Sequence, residues 1–191
     1  MKEVKITEKK LIFDDFFKIE EAVLQYERFD GVMSPEIRRL NFERGDSVAA
    51  IVYNRDRQKV ILTKQFRFPT YAKGPGWIVE AVAGIQHKSE SYEEAMRREI
   101  LEELGYQCDD LEMISSFYLS PGGSSERIVL FYAEVEDQHN IEAGGGVASE
   151  GEDIQIVEWS RDELQELMRT NQIQDAKTMI GVQYFLHTKT T

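Results

Sequence analysis

The sequence is poor in cysteine and has no long apolar run. Cys108 is the only cysteine among 191 residues, so an intrachain disulfide is excluded and we expect a small, buried strand residue. A single thiol suits a reducing compartment. No stretch approaches the roughly 18 apolar residues of a membrane-spanning helix, and the first ten residues, MKEVKITEKK, lack the apolar segment of a secretory signal. We therefore expect a cytoplasmic protein without a membrane segment.

Basic residues are also in deficit. The chain has 23 Lys and Arg against 35 Asp and Glu, which gives a formal net charge of −12. This charge disfavours nucleic acid and anionic membranes as partners, because both are themselves polyanions. A small anionic substrate would need local attraction from metal ions and from a few well-placed Arg or Lys side chains.

The order of the apolar segments predicts an α/β fold with an accessory sheet. Residues 1–44 alternate loosely between apolar and polar side chains and predict an N-terminal antiparallel β element, with turns at Asp14-Asp15 and Asp30-Gly31. Residues 45–191 predict the main domain, in which strands mixed with helices favour a sandwich of helices around a mixed sheet. A small sheet cannot bury itself alone, so the N-terminal element must pack on the rest of the chain or on a second subunit.

Within the main domain the sequence predicts six strands and three helices. The strand candidates are SVAAIVYN, KVILTKQFRF, WIVEAVAG, LEMISSFYL, ERIVLFYAEV and IQIVEW. The first helix is expected from about Ser91 to Leu104, capped by Ser89 or Ser91 and ended by Gly105. The second is SRDELQELMRT, with Ser160 as its cap, and the third is DAKTMIGVQYFLHT. A soft acidic loop, EDQHNIEAGGGVASEGED, precedes the last strand.

Residues 84–106 carry the strongest chemical signal, because they place several carboxylates beside one arginine. Residues three and four apart share a helix face, so Glu99, Glu102 and Glu103 are expected on one side of a single turn. Like charges this close repel, and a multivalent cation relieves the repulsion; Mg²⁺ suits carboxylate oxygens and keeps positions for water and phosphate. The alternative is an ordinary surface helix, on which Arg98 pairs with Glu94 and Glu102 at i,i+4 spacing.

The complete spacing decides between these alternatives. Residues 84–106 match the pattern G-x5-E-x7-R-E-U-x-E-E-x-G-U, in which U is a bulky apolar residue, except that Tyr106 replaces the usual aliphatic side chain. The chain therefore resembles the Nudix hydrolases. The resemblance implies an α/β/α sandwich and a site for Mg²⁺, or Mn²⁺, with Glu99 and Glu103 as direct ligands. Glu102 would share a metal or its waters, and the backbone carbonyl of Ala83 would complete the site.

The general base is not determined by the signature, since members of the family place it differently. The loop AGGGVASEGED offers Glu150, Glu152 and Asp153, and a glycine-rich acidic loop suits closure over a bound substrate. Glu152 is preferred as metal ligand or general base, because it lies next to a predicted strand. The alternative is a solvated acidic linker.

Segments outside the signature resemble the nucleotide-sugar branch of the family, and within it the GDP-mannose hydrolases. These segments are SPGGSSE around Pro121, QFRF around Arg67, AGGGV at 143–147 and DAKT at 175–178. Leu40 departs from the branch, which has an acid there. The residues expected to be catalytic are therefore Glu103, Glu126 and Glu152. The resemblance implies a substrate-binding role for Phe16, Arg38, Arg39, Arg67, Gly84, Ile85, Glu126 and Lys177.

The resemblance predicts a Mg²⁺-dependent pyrophosphatase that converts GDP-mannose to GMP and mannose 1-phosphate. ADP-ribose pyrophosphatase, which gives AMP and ribose 5-phosphate, is the alternative enzyme. A non-catalytic nucleotide sensor is the alternative outside the enzymes. The branch also pairs two subunits through the N-terminal sheet, so a homodimer is expected.

Overall fold

The computed structural model describes residues 2–147, 149 and 151–189. Its strands are β1 Val4–Asp14, β2 Lys18–Tyr26, β3 Ile37–Glu43, β4 Ser47–Asn54, β5 Lys59–Phe66, β6 Trp77–Glu80, β7 Val82–Ile85, β8 Leu111–Tyr118, β9 Arg127–Val135 and β10 Gln155–Trp159. Its α-helices are α1 Phe68–Tyr71, α2 Tyr92–Glu99, α3 Arg161–Arg169 and α4 Ala176–Thr188. None of the helices that the described residues form is long and apolar enough to cross a membrane.

The chain divides into two compact units. The first unit contains the described residues up to Gly45 together with Tyr118–Arg127, and the second contains Asp46–Phe117 and the described residues from Ile128 onward. The sequence assigned residues 118–127 to the main domain, whereas in the structure they pair with the N-terminal part: Phe42 N–H donates to the Gly123 carbonyl at 2.8 Å. The rest of the predicted division stays a prediction.

The first unit is built on a three-stranded antiparallel sheet in the order β1-β2-β3. This is the antiparallel N-terminal element that the sequence predicts. Every residue of β1 is exposed, including the large apolar side chains of Val4, Ile6, Leu11 and Phe13. The apolar side chains of β1 are therefore left largely uncovered within the first unit.

The second unit is a mixed sheet with helices on both faces. Its central path runs β10-β5-β4-β9-β8, with β6 paired to β5 and β7 to β4, and β4 runs parallel to β9. Alternate residues of the buried strand β4 enter different cores: Val48, Ala50 and Val52 pack with residues of α2, and Ile51 and Tyr53 with residues of α3 and α4. Because strand side chains alternate between faces, this division confirms the predicted α/β/α sandwich.

Helix α2 begins as predicted at a capped serine. The Ser91 hydroxyl accepts from Glu94 N–H and the Glu94 carboxylate accepts from Ser91 N–H, which completes a capping box. Ser89 is therefore not the cap. The α-helical part ends at Glu99, and Ile100–Leu104 continue as a π-helical turn that stops at Gly105, whose φ is +79°. Such turns are rare and often occur at functional sites.

Two local predictions need correction. WIVEAVAG forms two strands, not one, because the N–H of Ala81 donates to the Thr178 hydroxyl at 2.6 Å and so leaves the strand ladder. The segment after β5 contains the short helix α1, which begins with Phe68 and Pro69. Arg67, expected inside a strand, therefore lies in the turn between β5 and α1.

Candidate active site

Strand β7 brings a glycine against the first glutamate of the cluster. A Cβ at Gly84 would lie 1.7 Å from Glu99 Oε1, so a side chain here would displace the carboxylate that Arg98 holds. The neighbouring backbone N–H of Ala83 donates to the Glu103 carboxylate. The close approach of the Glu99 carboxylate to Gly84 therefore explains the first glycine of the signature. The carbonyl of Ala83 as a metal ligand stays a prediction.

Arg98 binds the carboxylates on either side of it. Its guanidinium lies 2.9 Å from Glu90 Oε1, 2.7 Å from Glu99 Oε1 and 3.0 Å from Glu102 Oε2. It also donates to the Ile85 carbonyl at 3.3 Å. These contacts join the signature loop to α2 and orient three glutamates. The Arg98–Glu94 pair of an ordinary surface helix does not form, since Glu94 caps α2.

Glu103 is the most buried member of the cluster. It is 1% exposed, and its Oε2 has no hydrogen-bond partner among the described residues. Burial, reinforced by the negative charges of Glu99 and Glu152, raises the pKa of Glu103 well above its ordinary value. Burial also raises the pKa of Glu99, where the charge of Arg98 opposes it and those of Glu102 and Glu152 add to it. The glutamates therefore form a cluster of negative charge that Arg98 relieves only in part.

A divalent cation suits this donor set. An unsatisfied buried carboxylate oxygen is costly, and nearby carboxylates that raise one another's pKa values are stabilised by a hard cation with oxygen ligands. No three acidic, histidine or cysteine side chains among the described residues are already arranged as a closed metal cage. Arg98 holds Oε1 of Glu99 and Oε2 of Glu102, which leaves the other oxygen of each carboxylate to a cation.

A glycine segment brings a further carboxylate to the cluster. Gly144, Gly145 and Gly146 have φ values of +66°, +100° and +84°. In this conformation Gly145 N–H donates to the Glu103 carbonyl at 2.9 Å and Gly146 N–H to the Glu102 carbonyl at 3.0 Å. The loop is thus attached to the end of the signature helix, and its glycines provide positive φ values that other residues rarely adopt.

Glu152 follows this segment and is held by it. Its Oε2 accepts from Val147 N–H at 2.9 Å, and its charge contributes to the raised pKa values of Glu99 and Glu103. The structure therefore brings Glu152 to the two buried glutamates, whereas Asp153 is exposed. Glu150, the other candidate base, lies outside the described residues. The catalytic role of Glu152 stays a prediction.

Arg67 and Lys177, both predicted to bind substrate, meet at a buried acid. Glu80 Oε2 accepts from Arg67 Nε at 2.7 Å, and Glu80 Oε1 accepts from Lys177 Nζ at 2.8 Å. Lys177 also lies 3.0 Å from Asp175 Oδ1. Sequence reasoning missed Glu80 and Asp175. An acid inside the apolar run WIVEAVAG and an acid directly before a helix are the signals that could have revealed them.

The remaining candidates belong to the first unit. Arg38 pairs with Glu21, and Arg39 donates to the Arg38 carbonyl at 3.0 Å. Phe16 is 78% exposed at the β1–β2 turn. Glu126 is buried, 3.4 Å from Arg44. Their roles toward substrate stay predictions, as do those of Gly84 and Ile85.

Comparisons with known proteins agree with this geometry. The family model of the NUDIX domain matches residues 43–180. The chain is 38% identical over 183 residues to the GDP-mannose pyrophosphatase of Pectobacterium atrosepticum, covering 95% of this chain and 93% of that protein. The GDP-mannose pyrophosphatase of Cronobacter sakazakii is 34% identical over 183 residues, with 95% and 94% covered. That of Escherichia coli strain K12 is 32% identical over 184 residues, with the same coverage.

A solved structure supports the fold. The crystal structure of an ADP compounds hydrolase superposes with a TM-score of 0.71 and covers 94% of this chain and 90% of its own, at 18% sequence identity. At this identity the likeness concerns the fold alone. Together with the domain match and the near full-length relatives, the signature glutamates and their glycine show that the chain belongs to the Nudix hydrolase family.

Proposed function

We propose that this protein hydrolyses the pyrophosphate bond of a nucleoside diphosphate sugar, converting GDP-mannose to GMP and mannose 1-phosphate. The observation that carries the proposal is the similarity to GDP-mannose pyrophosphatases along 95% of the chain, which includes residues of the first unit as well as of the second. Similarity limited to residues 43–180 would support only the family and its chemistry, and it would not indicate a class of substrate.

The proposed cofactor is a divalent cation, Mg²⁺ or Mn²⁺. Glu99, Glu103 and Glu152 would hold it, with Glu102 and the carbonyl of Ala83 contributing. The unpartnered Oε2 of Glu103 and the raised pKa values of Glu99 and Glu103 support this assignment. When bound, such a cation polarises phosphoryl oxygens and lowers the pKa of a coordinated water.

The side chains of the site supply the remaining requirements of the reaction. Arg67 directly follows β5, which packs against the turn that carries Glu103, and a guanidinium can bind two phosphate oxygens at once. Glu152 is our candidate for the general base, because it is held beside the buried glutamates and is less buried than they are. Glu150 and Asp153 of the same sequence segment are the alternatives for this role, and Glu103 and Glu126 are the other residues proposed to be catalytic. Phe16, Arg38, Arg39, Gly84, Ile85 and Lys177 are proposed to bind the nucleotide sugar.

The products distinguish this reaction from its alternatives. Purified protein with Mg²⁺ should release GMP and mannose 1-phosphate from GDP-mannose, measured by anion-exchange chromatography. GDP and mannose would instead indicate cleavage at the sugar carbon. A preference of about a hundredfold in kcat/KM for ADP-ribose, an amount that specific polar contacts readily supply, would contradict the choice of substrate. Tight nucleotide binding without turnover would favour the sensor.

We also propose that the protein is a homodimer joined through the sheet of the first unit. The exposed apolar side chains of β1 support this, because a patch of that kind commonly marks an interaction surface. A cytoplasmic, reducing location is part of the same proposal, supported by the free, buried thiol of Cys108.

A further inference from the structure

Glu80 joins two cationic side chains that come from distant parts of the chain. It is the last residue of β6 and is 5% exposed. Each of its carboxylate oxygens serves one cation: Oε2 accepts from Arg67 Nε at 2.7 Å and Oε1 from Lys177 Nζ at 2.8 Å. The carboxylate therefore sets the position of both groups at once.

Helix α4 holds this pair from its other side. Lys177 Nζ lies 3.0 Å from Asp175 Oδ1, while Asp175 Oδ2 accepts from Thr178 N–H at 3.0 Å as the helix cap. The Thr178 hydroxyl in turn accepts from Ala81 N–H at 2.6 Å, directly after Glu80. The end of β6 and the start of α4 are thus joined by a closed set of short hydrogen bonds.

The charges in this group balance. Burial disfavours the ammonium of Lys177, but the charges of Glu80 and Asp175 outweigh that effect and raise its pKa. Lys177 therefore stays protonated, and two cations face two carboxylates. A buried carboxylate that binds two cations with good geometry is costly to disturb, because removing it leaves uncompensated charge.

The contact at Nε leaves one edge of the Arg67 guanidinium available. Its two terminal nitrogens make no hydrogen bond with any residue that the structure describes, and its side chain is 40% exposed. Arg67 directly follows β5, and β5 packs against the π-helical turn Ile100–Leu104 that carries Glu102 and Glu103. The free edge is the one that can bind two phosphate oxygens in parallel.

We propose that Glu80 is a positioning residue. It holds Nε of Arg67 so that the two terminal nitrogens face the diphosphate of the substrate, and it keeps Lys177 charged and fixed beside them. The inference rests on the proposed function, since it requires a diphosphate ligand. Rigid placement matters here because bidentate contacts lose strength quickly when the fork is misaligned.

Glu80→Gln tests the proposal. The carboxylate offers one oxygen to each cation, whereas the amide has a single accepting oxygen and its NH2 group repels the other cation, so the guanidinium loses its fixed orientation. We expect KM for GDP-mannose to rise about tenfold or more, the value of a charge-assisted hydrogen bond, with a smaller change in kcat. Glu158→Gln is the matched control, because Glu158 forms an equally short pair with Arg57, at 2.6 Å, outside the site. It should leave KM within about twofold of the wild type.

A double-mutant cycle separates positioning from a general loss of structure. If Glu80 acts through Arg67, then Glu80→Gln should change KM less in an Arg67→Ala background than in the wild type, and the effect that remains there is the one through Lys177. A full additional loss in that background would overturn the proposal. Should Glu80→Gln fail to fold, Glu80→Asp keeps the charge but cannot reach both cations, and the same rise in KM is expected for this variant. A wild-type KM for a folded Glu80→Asp would then refute the proposal.

A binding measurement keeps this inference distinct from the proposed activity. Calorimetric titration with GDP, with and without Mg²⁺, should show about tenfold weaker binding to Glu80→Gln and no change for Glu158→Gln. Equal GDP affinity in Glu80→Gln and wild type, or no GDP binding at all, would overturn the positioning role. If the wild type does not hydrolyse GDP-mannose, but Glu80→Gln still binds GDP about tenfold more weakly than the wild type, only the proposed function is contradicted.

Discussion

At the scale of single residues, Glu103 lies in an unfavourable environment for a carboxylate. Its carboxyl is buried next to Glu99 and Glu152, and one oxygen lacks a partner among the described residues. A raised pKa in the folded state means that the unfolded chain releases this proton first. The free energy of unfolding therefore falls as pH rises from the ordinary glutamate pKa through the raised one. Burying this group is explained if a cation neutralises it.

Replacing Glu103 with glutamine should stabilise the metal-free protein and abolish its activity. Without divalent cation, Glu103→Gln should raise the melting temperature by about 2–4 °C for each kcal/mol of repulsion removed. Addition of Mg²⁺ should raise the melting temperature of the wild type more than that of the variant, and kcat should fall on the order of a hundredfold or more. Differential scanning calorimetry in EDTA and in Mg²⁺ provides the stability data. A destabilised variant in EDTA would contradict the electrostatic account.

Cys108 provides a prediction outside the site. Burial raises the pKa of its thiol to about 11. The thiolate is the reactive form, so at pH 8 native protein should react with a disulfide reagent far more slowly than protein in guanidinium chloride. Absorbance of the released thiolate measures both rates. Equal rates would show that Cys108 is accessible.

At the scale of elements, the π-helical turn and the segment Gly144–Gly146 depend on each other. The turn ends α2 at Ile100–Leu104, and the glycines donate hydrogen bonds to the carbonyls of Glu102 and Glu103. Helix ends leave carbonyls unsatisfied, and here a loop supplies the donors. The same contact brings Glu152 to the glutamates, so the helix end and the loop jointly build the site.

Substitution of Gly144 should be more costly than substitution of Gly151. Their φ values, +66° and +75°, are similar, but a Cβ at Gly144 would lie 2.7 Å from the Glu103 carbonyl oxygen, whereas at Gly151 nothing lies within 4 Å. Gly151→Ala should cost about 1–2 kcal/mol from backbone strain alone. Gly144→Ala should cost about 1–3 kcal/mol more because of the overlap. Urea unfolding measures both, and equal losses would exclude the close approach.

At the scale of the whole molecule, the proposal of a homodimer depends on the exposed side of the first unit. Antiparallel edge strands with exposed apolar residues readily pair with another chain. β1 is such a strand, since all of its residues are exposed and it pairs only with β2 among the described strands.

A charge introduced into β1 should separate the subunits. Ile6 is 58% exposed, so Ile6→Glu should not disturb a folded core, but it should weaken an apolar interface. Met113→Glu is the matched control, because Met113 is 56% exposed on β8 in the second unit. Sedimentation equilibrium should find a dimer for wild type and Met113→Glu and mostly monomer for Ile6→Glu. A monomeric wild type at micromolar concentration would refute the proposal.

The sequence by itself determined the class of fold and the signature of the site. Dense apolar runs predicted β4 and β5, which are buried along most of their length, and alternation of apolar residues predicted β8 and β9. Ser91, Ser160 and Gly105 identified helix ends, because capping depends on nearby residues alone. The spacing of the glutamates identified the family for the same reason: a single helix and one turn carry the pattern.

Only the tertiary structure decided which residues meet across the chain. The pairing of Glu80 with Arg67 and Lys177, the interruption of a strand at Ala81, and the attachment of Gly145 to Glu103 all join segments far apart in sequence. No local pattern specifies such contacts, because they arise from the packing of α4 and the glycine loop on the sheet. Strand propensity and glycine content depend only on residues that are neighbours in the sequence. At these positions, packing between distant segments determined the structure instead.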